Sequence, residues 1–145
     1  MRRATTIVRV ITGLLLVPTG VSKLAGTPQR DQWGDGGWQL ITALRETDYL
    51  WQAMGVMELL IAAALISGRF VPLAVAALAP LAVNLIGFHT IVDRTLNAAV
   101  PPAILVVAGT AYLLWTYRRT YAPLLQARTP APAGTTTAAP GSQAR

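Results

Sequence analysis

Apolar residues run almost unbroken through four stretches of this chain, and the polar residues that interrupt them do so at only a few places. Residues 70–92 read FVPLAVAALAPLAVNLIGFHTIV without one formal charge. A hydrocarbon core of about 30 Å takes about 20 residues of α-helix, and the stretches at about 7–25, 50–67, 70–92 and 98–117 meet that length. Buried helices of soluble bundles are usually shorter and keep a polar face. The pattern therefore predicts an all-α membrane protein, a four-transmembrane-helix bundle. Ser67-Gly68-Arg69-Phe70 leaves so little chain between the second and third spans that they must be antiparallel neighbours. Pro18 and Gly20 fall inside the first span, where neighbouring helices or water satisfy a freed carbonyl. Pro101 and Pro102 open the fourth, where the missing N–H had no partner.

The connecting segments read differently. GTPQRDQWGDGGW has the Gly, Pro and Asp density of irregular chain, whereas Trp38, Ile41 and Leu44 recur at helical spacing and predict a short interfacial helix. Trp33, Trp38, Tyr49 and Trp51 predict an aromatic belt at that membrane surface. After Leu125 the composition changes to ARTPAPAGTTTAAPGSQAR, which has little to bury. Residues 1–125 thus read as one transmembrane domain and 126–145 as a disordered tail. The opening MRRATTIVRVITGLLLVPTGVSKLAG imitates a signal peptide, but Arg9 interrupts its apolar part and Lys23-Leu24-Ala25 is a poor cleavage triplet, so it reads as a retained span. No span has a strict GxxxG; the small-residue spacings are Ala63-xxx-Ser67 and Ala99-xxx-Ala103.

Composition agrees with a membrane class: 53% hydrophobic, 12% charged, mean hydropathy +0.47, against roughly 25% charged residues in soluble domains. The net charge of +6 raises nucleic acid as a partner, but its placement argues against one. Arg2, Arg3, Arg9, Arg69, Arg118, Arg119 and Arg128 flank the spans on one side. Lys23, Arg30, Arg45 and Arg94 on the other are offset by Asp31, Asp35, Glu46, Asp48 and Asp93. This is the positive-inside pattern, so the bundle is expected in the cytoplasmic membrane, N-in/C-in, with lipid as its surroundings. With no cysteine, the chain cannot perform thiol exchange, form a thiolate metal site or attach c-type haem. One histidine excludes bis-His haem ligation within a subunit. No dinucleotide loop, P-loop or metal-ligand spacing is present, so a redox centre must come from a partner or a diffusible carrier.

Four polar residues remain in or beside the spans: Lys23, Glu58, Asn84 and His89. At 1.5 Å per residue, Glu58 lies roughly 12 Å below the outer surface, Asn84 about 12 Å and His89 about 5 Å, with Lys23 near the boundary. All four can converge on one outward-opening cavity beneath the 26–50 loop, with Arg94 at its rim. Blander roles compete. Lys23 can snorkel, as can Arg9 towards the inner phosphates. Asn84 can bond a neighbouring helix, and His89 can sit satisfied at the interface. Glu58 must be paired, protonated or solvated, and a structural Lys23–Glu58 ion pair would suffice. As a functional set, Glu58 and His89 handle protons while Lys23 and Asn84 bind or orient a ligand. Apolar walls with donors and a proton carrier suit a quinone head group or another membrane-soluble carbonyl compound. The inner halves LLIAAALIS and FVPLAVAALAP offer no polar path across the membrane, which disfavours a channel.

These motifs resemble the DoxX family of small four-span membrane proteins, from about Arg9 to Leu125. Arg9 with GLLLVPTGVSKL, TDYLWQAMGVMELLIAAALISGRFVPLA around Glu58, APLAVNLIGFHTIVD with Asn84 and His89, and the ending YRRTYAPLL carry the likeness through their order and spacing. The resemblance implies a four-helix integral membrane fold and puts the four polar residues on the family's polar signatures. It also implies a link to redox, since members are described as subunits of quinol-linked oxidases and of detoxifying oxidoreductase complexes. The expected role is thus a membrane subunit or anchor in a quinone-linked system, with oxidoreductase subunits or further copies of itself as partners. The alternative is a non-enzymatic scaffold or assembly factor whose polar cluster is structural. The absence of cysteine rules out here any thiol mechanism of relatives.

Overall fold

The structure, a computed structural model, describes residues 2–125. The tail at 126–145 expected to be disordered lies outside the described residues. The chain forms helix α1 (Arg2–Ala25), a 3-10 turn (Arg30–Gln32), α2 (Asp35–Glu46), α3 (Leu50–Ser67) and α4 (Val71–Gly87), which continues as one π turn (Phe88–Val92). Helix α5 (Val100–Tyr121) and a closing 3-10 turn (Ala122–Leu125) complete it. No strand occurs among the described residues. Four helical stretches, Arg3–Ala25, Leu50–Ser67, Val71–Val92 and Val100–Tyr121, are long and apolar enough to span a membrane, as the sequence predicted.

The four long helices close a ring in the order α1, α3, α4, α5, with α1 and α3 in the most extensive contact. Leu16, Ile61, Leu65, Val75, Leu78 and Leu113 fill its centre. Ile7, Leu14, Leu60, Leu73, Val83 and Ile104 are exposed, the inside-out arrangement that acyl chains accept and water does not. One end of the bundle carries the start of α1, the end of α5 and the Ser67–Phe70 turn; the other, the loop pole, carries α2 and the Asp93–Ala99 connection.

Lipid supplies no hydrophobic drive between helices, so close backbone approach matters. A β-carbon on Gly20 would stand 3.0 Å from the Gly55 carbonyl oxygen, and one on Gly55 would stand 2.9 Å from that of Gly20. Seven residues earlier, Gly13 meets Ala62 and Leu65 in the same way, and Gly109 of α5 is pressed against Thr12. The small-residue contact thus recurs every seven residues on α1. The Ala63-xxx-Ser67 spacing plays no such part, because both residues face outward.

At the loop pole the reading of residues 26–38 as irregular chain needs correction. Asp35, Gly36 and Gly37 belong to α2. Their glycines answer a crowding need: Gly36 lies on the Val92 carbonyl and Gly37 on the Asp93 side chain, where a β-carbon has no room. Asp93, only 4% exposed, accepts hydrogen bonds from the Gly34 N–H (2.7 Å), the Thr95 hydroxyl (2.5 Å) and the Asn97 amide (3.0 Å). Asn97 also donates to the Gln32 carbonyl at 3.0 Å. One buried carboxylate thus fastens the start of α2 to the end of the π turn.

Gly20→Val is expected to destabilise the bundle by about 1–3 kcal/mol through overpacking. Gly87→Ala, where a β-carbon meets nothing within 4 Å, should leave it unchanged or slightly more stable. Unfolding in mixed micelles compares the two; equal behaviour would contradict the crossing.

Candidate functional site

Beneath α2, in the loop-pole half of the bundle, lies a cavity of about 200 Å³. Leu16, Leu78 and Val106 line its apolar depth, and Trp33, Ile41 and Leu44 line its α2 side. Lys23, Glu58, Asn84 and His89 all line it, so the convergence expected from their positions along the chain is found in space.

The glycine crossing sets up the charged pair. A β-carbon on Gly55 would lie 2.9 Å from Cβ of Lys23, so only glycine lets the lysine stem cross α3 one turn before Glu58. Lys23 Nζ then donates to both carboxylate oxygens of Glu58 at 2.9 Å. Their side chains are 14% and 12% exposed. The ammonium also stands 5.5 Å from the centre of the Trp51 ring, within cation–π range. One ammonium spanning both oxygens neutralises the pair yet leaves lone pairs on the carboxylate, so Glu58 can still accept a hydrogen bond.

Around that pair the polar atoms are not satisfied. Trp33 Nε1, Trp51 Nε1 and His89 Nδ1 are buried without a hydrogen-bond partner, and all three residues line the cavity. Indole N–H groups only donate, and imidazole donates or accepts at each nitrogen according to its tautomer. Leaving such groups buried and unbonded costs about 1–3 kcal/mol each. Three such groups thus gather on residues that line one small cavity.

The π turn shapes this wall. A π turn departs from regular α-helix where sites often occur, and here it sets Phe88 and His89 next to one another in the cavity lining. Phe88 meets Trp33 edge-on at 5.6 Å and His89 edge-on at 5.1 Å, linking the α2 side to the histidine. Asn84 lines the cavity but stays exposed and makes no side-chain hydrogen bond among the described residues. Arg94, expected at the rim, turns instead to its own backbone, Nε donating to the Ile91 carbonyl at 2.8 Å.

Three contributors escape the sequence reading. The sequence places Trp33 and Trp51 in an aromatic belt, whereas the fold makes both line the cavity with their Nε1 atoms buried. Asp93 was counted as a surface charge, although its place between the last span residue and a Thr-x-Asn stretch suits a loop clamp.

The model of the DoxX family matches residues 4–92, more than half of the chain. The chain belongs to the DoxX family. The matched part of this DoxX protein runs from α1 through the π turn and contains all four polar cavity residues; α5 and the closing 3-10 turn, which share YRRTYAPLL, follow it. No curated protein and no solved structure matches the chain.

Removing one partner of a buried ion pair strands the other charge, at a cost of about 3–5 kcal/mol, whereas apolar replacement of both is often near neutral. Lys23→Met and Glu58→Leu should each lower stability to that extent, and the double variant should recover most of the loss. A double-mutant cycle of unfolding free energies in detergent measures this; a double variant less stable than either single would contradict the pairing.

Proposed function

We propose that this DoxX protein is a cytoplasmic-membrane subunit of a quinone-linked redox system, and that its cavity holds the head group of a small lipid-soluble carbonyl compound. The observation that carries this reading is the set of three buried, unbonded nitrogens on Trp33, Trp51 and His89, residues that line one cavity together with the Lys23–Glu58 pair. Carbonyl oxygens accept hydrogen bonds and carry no charge, which suits unbonded indole donors and a balanced ion pair. The size supports a ring rather than a larger ligand: about 200 Å³ falls below the roughly 300–1,000 Å³ of clefts that take drug-sized molecules.

In this reading the Trp33 and Trp51 N–H groups hold the carbonyl oxygens and the aliphatic walls exclude water. His89 and Glu58 exchange protons with the head group, and Lys23 with Asn84 orients it. Reduction of a quinone to its quinol consumes two electrons and two protons; a partner oxidoreductase supplies the electrons, since the chain has no group to carry them. The arginine-rich flanks support an orientation with both termini in the cytoplasm and the cavity in the outer leaflet.

A scaffold reading has one observation in its favour: the Lys23–Glu58 pair is complete at 2.9 Å without any ligand. It leaves the three unbonded nitrogens unexplained. Equilibrium binding of a short-chain quinone to the protein in nanodiscs separates the two. Glu58→Gln is expected to abolish binding while the protein remains folded. Trp51→Phe, which removes one neutral hydrogen bond of about 0.5–1.5 kcal/mol, should weaken it roughly 2–12-fold. Unchanged quinone affinity in Glu58→Gln would remove the proposal and leave the scaffold.

A further inference from the structure

At the pole where α1 starts and α5 ends, the arginines have no acidic partner among the described residues, and Arg9 alone of those with a described side chain is partly buried. Arg9 lies on α1 with its guanidinium laid against Gly68 so closely that a β-carbon there would collide with Nη1 and stand 2.9 Å from Cζ. Gly68 has φ +78°, a left-handed conformation that closes α3 and that glycine adopts without penalty. The turn is thereby shaped into a seat for the guanidinium. Arg9 is partly buried, its Nε is shut off from solvent without a partner, and its guanidinium takes part in no hydrogen bond or ion pair among the described residues.

The chain cannot supply the missing anion from its acidic side chains. It has six in all: Glu58 is bound by Lys23, and Asp31, Asp35, Glu46, Asp48 and Asp93 all lie in loop-pole segments. A partly buried cation without a counter-ion is costly, so the compensating group comes from outside the chain. The surroundings fix its level. Arg69 and Phe70 follow Gly68, with Phe70 75% exposed. On α5, Arg118 stacks 4.5 Å from the centre of the Trp115 ring, itself 69% exposed. Exposed aromatics with arginines mark the head-group layer of a membrane, where phosphates are the abundant anions. A planar guanidinium fork matches two phosphate oxygens at once.

We infer that Arg9, seated on Gly68 beside Arg69, forms a binding site for one phosphate group, the chemistry shared by an anionic phospholipid and a free phosphate ion. This site is independent of the cavity and of any quinone. It differs from non-specific snorkelling in being saturable at one group per chain and in depending on the guanidinium fork.

The test uses the full chain in a phosphate-free maltoside detergent, titrated separately with phosphatidylglycerol and with inorganic phosphate. Thermal midpoint and native mass spectrometry are the two readouts. Wild type is expected to gain stability and retain one phosphatidylglycerol per chain, and Arg9→Gln to lose both effects. Arg9→Lys, which keeps the charge without the fork, should bind roughly tenfold more weakly or worse. Arg45→Gln, at the loop pole, should match wild type. Equal gains from inorganic phosphate alone would support the site with the free ion as its source. Loss in Arg9→Gln confined to lipid would assign it to the phospholipid. Retention of lipid by Arg9→Gln equal to wild type would overturn the inference, and so would a wild type unaffected by either titrant. Should Arg9→Gln fail to fold, Arg9→Lys binding lipid as tightly as wild type would overturn it.

Discussion

A charge placed at hydrocarbon depth must be answered by the protein itself, and the Lys23–Glu58 pair is how this bundle meets that constraint. Either group alone is costly there; together, at 2.9 Å, they form a neutral unit that joins α1 to α3. The packing next to it follows from the same need. Gly20 and Gly55 bring the two backbones together, and that approach lets a lysine near the end of one helix reach a carboxylate more than two turns inside the next. The most extensive helix contact in the molecule and its most expensive polar group therefore share one crossing.

The loop pole obeys the same rule by different means. Asp93, buried, is answered by the Gly34 N–H, the Thr95 hydroxyl and the Asn97 amide rather than by a cation. That clamp holds the start of α2 against the π turn and so helps cover the cavity. Against these two well-satisfied carboxylates, the bare nitrogens of Trp33, Trp51 and His89 stand out. The fold answers its buried acids and leaves three nitrogens on cavity residues unanswered, and the proposed ligand site rests on that contrast.

Much of this was legible in the sequence. Four spans follow from run length, and the depth of Lys23, Glu58, Asn84 and His89 follows from counting residues inward from span ends, because an α-helix converts sequence separation into distance. What was not legible depends on contacts between segments. Gly36 and Gly37 looked like loop residues because composition cannot distinguish a glycine needed for a turn from one needed for close approach. That Trp33 and Trp51 line the cavity with buried Nε1 atoms depends on how the segments around α2 pack, and belt tryptophans have the same local signature. The π turn at Phe88–Val92 leaves no mark in the apolar pattern. Asn84 reaches the cavity yet remains accessible, a placement that a helix count gives in depth but not in facing.

Fold and family establish a small DoxX membrane bundle; the proposed activity rests on the cavity. Its most direct test is to purify the protein from its native membranes in mild detergent and identify lipid-soluble compounds bound to it by mass spectrometry. A stoichiometric quinone or related carbonyl compound, absent from Glu58→Gln prepared in the same way, is the expected result. Wild-type protein that emerges folded, with an intact Lys23–Glu58 pair and no carbonyl ligand, would contradict it and identify the cluster as a structural joint.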